Sequence, residues 1–479
     1  MSKHEYMFGK EPDENNINGS EFQLVIERYE SMMFDEQVGF FEEDEFELIV
    51  DFYESRNELD KAMRAAEHAF IQYPFSAYFL IKKAELLFEA RDIDAAFEML
   101  KRAEVLDAGE IEIQLLKADL LSYRGEYSQA IHLLKNAQRQ ADREELPEVL
   151  ISQADVYEAW EKFEMVFHAL KKVLLLEPLN EEALQRIWLA VDITEKYGES
   201  IELHKKLIDI DPYNFQAWYN LGQAYKGLGL FEKAAEAMEY VTLIDEGHDM
   251  AFRDLAEIWL RLDEPQKALD CFRRVIEMDE EYEEIYFGMG EANELMGNYG
   301  KARYYFRKAV HLDPYYSDAF FRIGENFRKE NRLSDAMQSY KKALKLEGDN
   351  VEYLARFGEV SLELGFKEEA IQNYKKIIRL EPHDIEGYLR LSRLMMDLEE
   401  RSELAELINE AIVAVGEEPR LLYVLGAILM AEGKRQQALV LITEALDRDF
   451  RNYPLLFEMH SPLIHDRDLL DLIDLFKEN

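Results

Sequence analysis

The chain has 479 residues, of which 99 are Asp or Glu and 56 are Lys or Arg, for a formal net charge of −43. Nearly half the residues are apolar, and 26 Tyr and 28 Phe are too many aromatics for a disordered acidic tail. The charge opposes phosphate and anionic lipid alike, so neither direct nucleic-acid binding nor membrane docking is expected.

In chain order, residues 1–19 lack the apolar run of a secretory signal and are expected to form a flexible arm. Ser20-Glu21-Phe22-Gln23 reads as a capping-box start. It leads into Phe22, Val25, Ile26, Tyr29, Met32 and Met33 at helical spacing, so residues 20–42 are expected to hold an N-terminal capping helix and an acidic linker. From 43 to 452 one pattern then returns, beginning at residues 43, 77, 111, 147, 181, 215, 249, 283, 317, 351, 385 and 419. Every step is 34 residues except one of 36, where the segment from Asp142 to Pro147 holds an insertion.

Each unit reads as helix, turn, helix, turn. Apolar residues at unit positions 4, 7 and 11 make one helical face. Position 8 is small in ten of twelve units, among them Ala84, Ala118, Gly222, Gly290, Gly324 and Gly426, and position 20 is Ala in nine. Small residues let two helix axes approach at the close end of the ~8–10 Å range. Position 15 is Gly or Asn in seven units, as suits a left-handed residue that ends the first helix. Position 32 is Pro in five, which stops the second.

These residues resemble the tetratricopeptide repeat, whose 34-residue unit carries a W-x2-L-G-x2-Y…A-x3-F…P pattern. Trp218, Leu221, Gly222, Tyr225 and Ala234 fit it, with Met238 in place of Phe. The resemblance implies an all-α chain, an α-solenoid of antiparallel helix pairs forming a right-handed superhelix. Its overall look is also similar to bacterial repeat proteins of the Bacteroidota kind. Units 4, 5 and 11 depart from the pattern. Val166, Ser200 and Leu404 replace the small Ala at position 20, and Trp188 replaces the small residue at position 8 of unit 5. Looser junctions or a change of curvature are expected there.

Residues 453–479 are not a full repeat. Ser461-Pro462 reads as a helix start, followed by Leu469, Leu470, Leu472, Ile473, Leu475 and Phe476. A C-terminal capping helix is expected, since a stack of repeats exposes apolar faces at its ends. The alternative is a detachable helix that docks in another protein's groove.

Little in the sequence points to catalysis. Cys271 is the one cysteine, which removes disulfides and cysteine-rich zinc sites. His460 and His465 stand near Asp466 and Asp468, but a spacing of five with Pro462 between them does not put both rings on one helix face. No Gly-rich phosphate loop follows a strand. An enzyme, a metal or a cofactor is therefore not expected. The longest nearly uncharged apolar stretch, Leu421 to Ala431, is too short for a span of ~20 residues, and a cytoplasmic protein is expected.

Function is then expected on the surface. At ~100° per residue, position 9 points away from the packing face of each first helix. It is acidic in eight units (Asp51, Glu85, Asp119, Asp155, Glu257, Glu291, Glu325, Glu359) and would form an acidic column, interrupted by Leu189 and Gln223. Solvated charges paired locally, as in Arg322 with Glu325 and Arg356 with Glu359, are the bland reading of the same pattern. The family resemblance implies that this face lines a concave peptide groove. The position-5 residues Tyr219, Arg253, Phe287 and Phe321, with Asn220 at position 6 and Glu257, Glu291 and Glu325 at position 9, are the candidate contacts in units 6–9. Relatives that grip acidic chaperone tails carry Lys at position 5 and Asn at position 9; no unit here does, so that clamp is not expected.

The leading expectation is a non-enzymatic scaffold or adaptor that binds protein partners and assembles a complex. The alternative is a reversible peptide receptor or chaperone-like factor for secreted or assembling proteins. Either partner is expected to bring a basic or extended segment. Residues 11–60 hold 17 acids and 2 bases, so that segment is expected near the N-terminal end.

Overall fold

The computed structural model describes residues 19–34, 39–278, 281–397 and 401–477. Of the arm expected over residues 1–19, residues 1–18 lie outside them and Gly19 is already the first residue of a helix; the side chains of residues 20–22, on which the capping box rests, also lie outside. Helices and turns account for the described residues, with no strand among them. The chain divides into two compact units, Met1–Asp245 and Glu246–Asn479.

In the first unit α1 (Gly19–Phe34) precedes six antiparallel pairs. These are α2 (Glu43–Ser55) with α3 (Leu59–Gln72), α4 (Ala77–Glu89) with α5 (Ile93–Leu106), and α6 (Ile111–Tyr123) with α7 (Tyr127–Gln140). They continue as α8 (Leu146–Ala159) with α9 (Phe163–Leu176), α10 (Glu181–Thr194) with α11 (Tyr197–Ile210), and α12 (Phe215–Gly227) with α13 (Phe231–Ile244). The second unit opens with α14 (Asp249–Arg261) and α15 (Pro265–Glu277), α16 (Glu283–Leu295) and α17 (Tyr299–Leu312), and α18 (Ser317–Lys329) and α19 (Leu333–Leu346). It goes on through α20 (Val351–Glu363) and α21 (Lys367–Leu380), α22 (Ile385–Asp397) and α23 (Arg401–Val415), and α24 (Pro419–Ala431) and α25 (Arg435–Arg448). The short helix α26 (Leu455–Met459) and α27 (Arg467–Lys477) end it. Each unit is thus a solenoid of stacked helix pairs.

Two local devices make the pair. The first is the turn. The residue at position 15 has positive φ in every described copy: Gly125, Gly229, Gly297, Gly365 and Gly433, but also Asn57, Asn331, Arg91, Glu161, Glu195 and Asp263. The next amide then reaches back five residues, as from Glu58 to the Tyr53 carbonyl and from Asp92 to the Leu87 carbonyl, closing a Schellman motif. The second device is a notch. The position-8 residue of the first helix faces a large residue at position 24 of the second. A Cβ on Gly290 would stand 2.5 Å from Phe306, and one on Gly324 would stand 2.5 Å from Tyr340. The missing methyl is what lets the ring seat.

Unit 5 breaks the notch with Trp188 and Ser200, and the packing responds. Helices α10 and α11 touch little; α10 packs instead on α9 and α12, and α11 packs on α12. The pair α22 and α23, which holds Leu404, is also sparsely packed, whereas α8 and α9, with Val166, meet as closely as ordinary pairs do. The looser junctions expected from the substitutions therefore occur in two places of three. The α11–α12 junction holds a buried polar network. His204 is fully buried; its Nδ1 meets the Ser200 carbonyl at 2.8 Å and its Nε2 meets Asn220 Nδ2 at 3.2 Å. Asn220 Nδ2 also donates to the Leu184 carbonyl at 2.7 Å, which ties α12 to α10. With Nδ1 donating and Nε2 accepting, the ring is neutral, and burial pushes its pKa down to about 4.

The ends are covered from within the chain. Ile26 and Tyr29 of α1 join Phe41, Phe46, Ile49, Val50 and Tyr53 in one core cluster. At the other end Leu469 and Ile473 of α27 are buried in the cluster that α20 to α26 build. Arg435 of α25 binds both Asp466 and Asp468, so these two carboxylates serve an ion pair beside α27.

Candidate functional site

The first helices of successive pairs lie side by side within each unit, as α4 on α6 and α14 on α16. Stacking by one period brings position 6 of a helix beside position 9 of the preceding one, 31 residues earlier. A base stands at position 6 in five helices, and each reaches back. Lys82 Nζ is 4.0 Å from Asp51, Arg186 is 2.7 Å from Asp155, and Arg322 is 3.4 Å from Glu291. Arg356 is 3.9 Å from Glu325, and Arg390 is 2.9 Å from Glu359. Position 12 joins in: Arg186 also meets Glu158 at 2.9 Å, and Arg322 meets Glu294 at 3.3 Å.

Five of the eight acids at position 9 are therefore rungs of an inter-repeat ladder. The pairing expected within one helix is corrected at Arg322, which turns to Glu291 and Glu294 rather than to Glu325. Arg356 makes both kinds of contact, reaching Glu359 at 2.9 Å as well as Glu325. Glu325 also accepts from Tyr340 Oη and pairs with Arg328 at 3.4 Å. Asp119 is half-buried on α6, and Glu257 is exposed on α14.

Compensation is poorest on α2, α4 and α6. There Lys82 is the shared cation of three carboxylates, with Glu85 at 3.1 Å, Glu54 at 3.6 Å and Asp51 at 4.0 Å. Burial pushes Glu47, Asp51, Glu54 and Glu85 above their ordinary pKa values despite that cation. Glu112 of α6 is pushed up to about 7, by burial first and then by Glu85. The Asp51 side chain is 58% exposed, so the cluster is open to solvent at this residue. A concentration of carboxylates held above their usual pKa favours a cationic ligand, whose charge offsets both the desolvation of the ionised groups and their mutual repulsion.

The aromatic residues at position 5 belong elsewhere. In the first unit Tyr219 and Asn220 are buried, and Asn220 is spent in the His204 network. In the second unit Phe321 is buried, stacked at 4.6 Å on Tyr353 and tilted against Tyr340 at 5.6 Å. Phe287 is half-buried, 4.9 Å from Tyr316 and 5.2 Å from Phe306. Arg253 lies 5.1 Å over Tyr282 and 3.9 Å from Asp249. Tyr219, Asn220 and Phe321 are thus buried, and Asn220 and Phe321 join neighbouring repeats. The sequence did carry a signal for the ladder: an acid followed by a base 31 residues later recurs five times.

Families described as TPR repeat and tetratricopeptide repeat match residues 194–229, 215–248, 253–317 and 317–350. These residues are tetratricopeptide repeats, and the helix pairs on either side keep their period. Repeats of this class build protein-interaction scaffolds. Among solved structures, a tetratricopeptide repeat protein from Parabacteroides merdae is 18% identical over 52% of this chain and 98% of its own, with a TM-score of 0.40. Yeast Tom70 is 15% identical over 89% of this chain and 97% of its own, with a TM-score of 0.36. MamA protein is 19% identical over 36% and 94%, with a TM-score of 0.33. No curated protein matches the chain. Among the described residues no helix is long and apolar enough to cross a membrane.

Proposed function

We propose that the chain is a non-enzymatic scaffold that holds protein partners, and that the face of α2, α4 and α6 receives a basic, extended segment of one of them. The observation that carries this is the single Lys82 among Asp51, Glu54 and Glu85, with Glu47 and Glu112 beside them, all raised by burial. A Lys or Arg side chain from a partner would complete the pattern that Arg186, Arg322, Arg356 and Arg390 complete internally further along. Charge complementarity of this kind sets specificity and association rate more than raw affinity, so the interaction weakens steeply with salt.

The test is fluorescence anisotropy with a labelled twelve-residue Lys-rich peptide and the intact chain. The triple substitution Glu47→Gln, Asp51→Asn and Glu112→Gln should weaken binding about tenfold, roughly 1.4 kcal/mol. Equal affinity for the native and substituted chains sinks the assignment of this face.

A further inference from the structure

Helix α17 stands apart in so acidic a chain. It carries Lys301, Arg303, Arg307 and Lys308 and no Asp or Glu. Arg303 is used structurally, buried beneath the Phe327 ring and paired with Glu330 at 2.8 Å. Lys301 and Arg307 are exposed and form no ion pair among the described residues. Beside them α15, α16 and α17 enclose a cleft of about 350 Å³.

The cleft walls have one chemical character. Gln266 and Arg273 come from α15, and Lys301, Tyr304 and Tyr305 from α17. Leu269 and Met296 give it apolar surface, and none of its lining residues is acidic. The nearest carboxylate on α15 is Asp270, which meets Arg273 at 2.5 Å and accepts from Gln266 at 3.2 Å. Both members of the Arg273–Asp270 pair are more than half exposed, and such pairs contribute little, so Arg273 can turn to a ligand at small cost. The tyrosines are held in place. Tyr305 stacks on Tyr286 at 6.5 Å and 14°, and Lys308 Nζ lies 4.6 Å over Tyr286 and 5.6 Å over Tyr304.

We infer that this cleft is a second binding site, distinct from the acidic face, and that it takes an acidic peptide segment. Its guanidinium, ammonium, amide and phenol groups recognise a carboxylate, and Leu269 and Met296 receive a neighbouring apolar side chain. At ~30 Å³ per water the volume equals about a dozen waters, which suits one or two side chains of an extended peptide and not a folded surface. A polynucleotide would meet the same cations but also the field of a chain with net charge −43, whereas a short peptide with alternating carboxylates carries less charge to repel.

The experiment uses the full chain and a fluorescein-labelled peptide, (Glu-Ala-Leu-Glu)3, at low ionic strength. Saturable binding is expected despite the unfavourable net charge. The double substitution Arg273→Glu and Lys301→Glu should weaken it by about tenfold or more, while Lys135→Glu, on α7, leaves it unchanged. Circular dichroism checks that the double variant is folded; should it not be, Tyr304→Ala, at an exposed ring, decides instead with a loss of several-fold. No saturable binding, or native affinity in the folded double variant or in Tyr304→Ala, overturns the proposal.

Discussion

A residue with positive φ and a Cβ is strained by roughly 1–2 kcal/mol unless it is Gly or, to a lesser degree, Asn or Asp. Position 15 shows that strain repeated. Arg91, Glu161 and Glu195 adopt it because a Schellman turn demands the conformation, not because their side chains suit it. Replacing Arg91 or Glu161 with Gly should therefore raise stability by about 0.5–1 kcal/mol each, the strain relief being partly offset by the freer unfolded chain. Thermal unfolding measures this, and a lowered melting temperature would contradict it. His204 supplies a pH prediction. Its pKa is about 4 in the fold against an ordinary value near 6.5, so the unfolded chain binds a proton between these values and the folded one does not. Stability from this group is full above pH 6.5 and is lost as pH falls toward 4, by up to about 3 kcal/mol. Substituting His204→Phe should flatten that part of the variant's own stability curve, so that the native-minus-variant difference shrinks as pH falls from 6.5 to 4. Parallel curves across pH 4–6.5 would show that the network does not titrate as described.

At the scale of the helix, the period was legible because packing enforces it. Small position-8 residues such as Gly290 and Gly324 must face Phe306 and Tyr340, and the turn residue must follow at a fixed distance. What sequence reasoning could not resolve was which neighbour a side chain chooses. Arg322 lies three residues before Glu325 and 31 after Glu291, and helix stacking selects the second. Phe321 likewise occupies a position that one isolated helix would expose, but the next pair covers it with Tyr353. The terminal helix α27 gives a test at this scale. It buries Leu469 and Ile473, each worth about 1.5–3 kcal/mol, and Arg435 anchors its first turn. Deleting residues 464–479 should lower the melting temperature of the chain by several degrees. An unchanged melting temperature would instead favour a detachable docking helix.

Across the whole chain, charge is sorted and not simply excessive. Residues 11–60 carry 17 acids against 2 bases, while α17 carries four bases and no acid. Along the first helices the rungs at Arg186, Arg322, Arg356 and Arg390 neutralise their acids internally, and on α2, α4 and α6 this compensation runs short. That shortage is the basis for assigning a basic segment to the N-terminal face. Glu112 makes the assignment sharply testable, because its pKa near 7 is set by burial first and then by charges on several elements: Glu85 of α4, Glu110 just before α6 and Glu148 of α8 raise it, and Lys82 of α4 lowers it. Ionisation of Glu112 rises from about one tenth at pH 6 to about nine tenths at pH 8. The decisive measurement is the affinity of the Lys-rich peptide for the native chain and for Glu112→Gln at those two pH values. The account predicts binding several-fold tighter at pH 8 for the native chain, and a clearly smaller change for the variant. The same pH dependence in both chains, or no saturable binding to either, would contradict it.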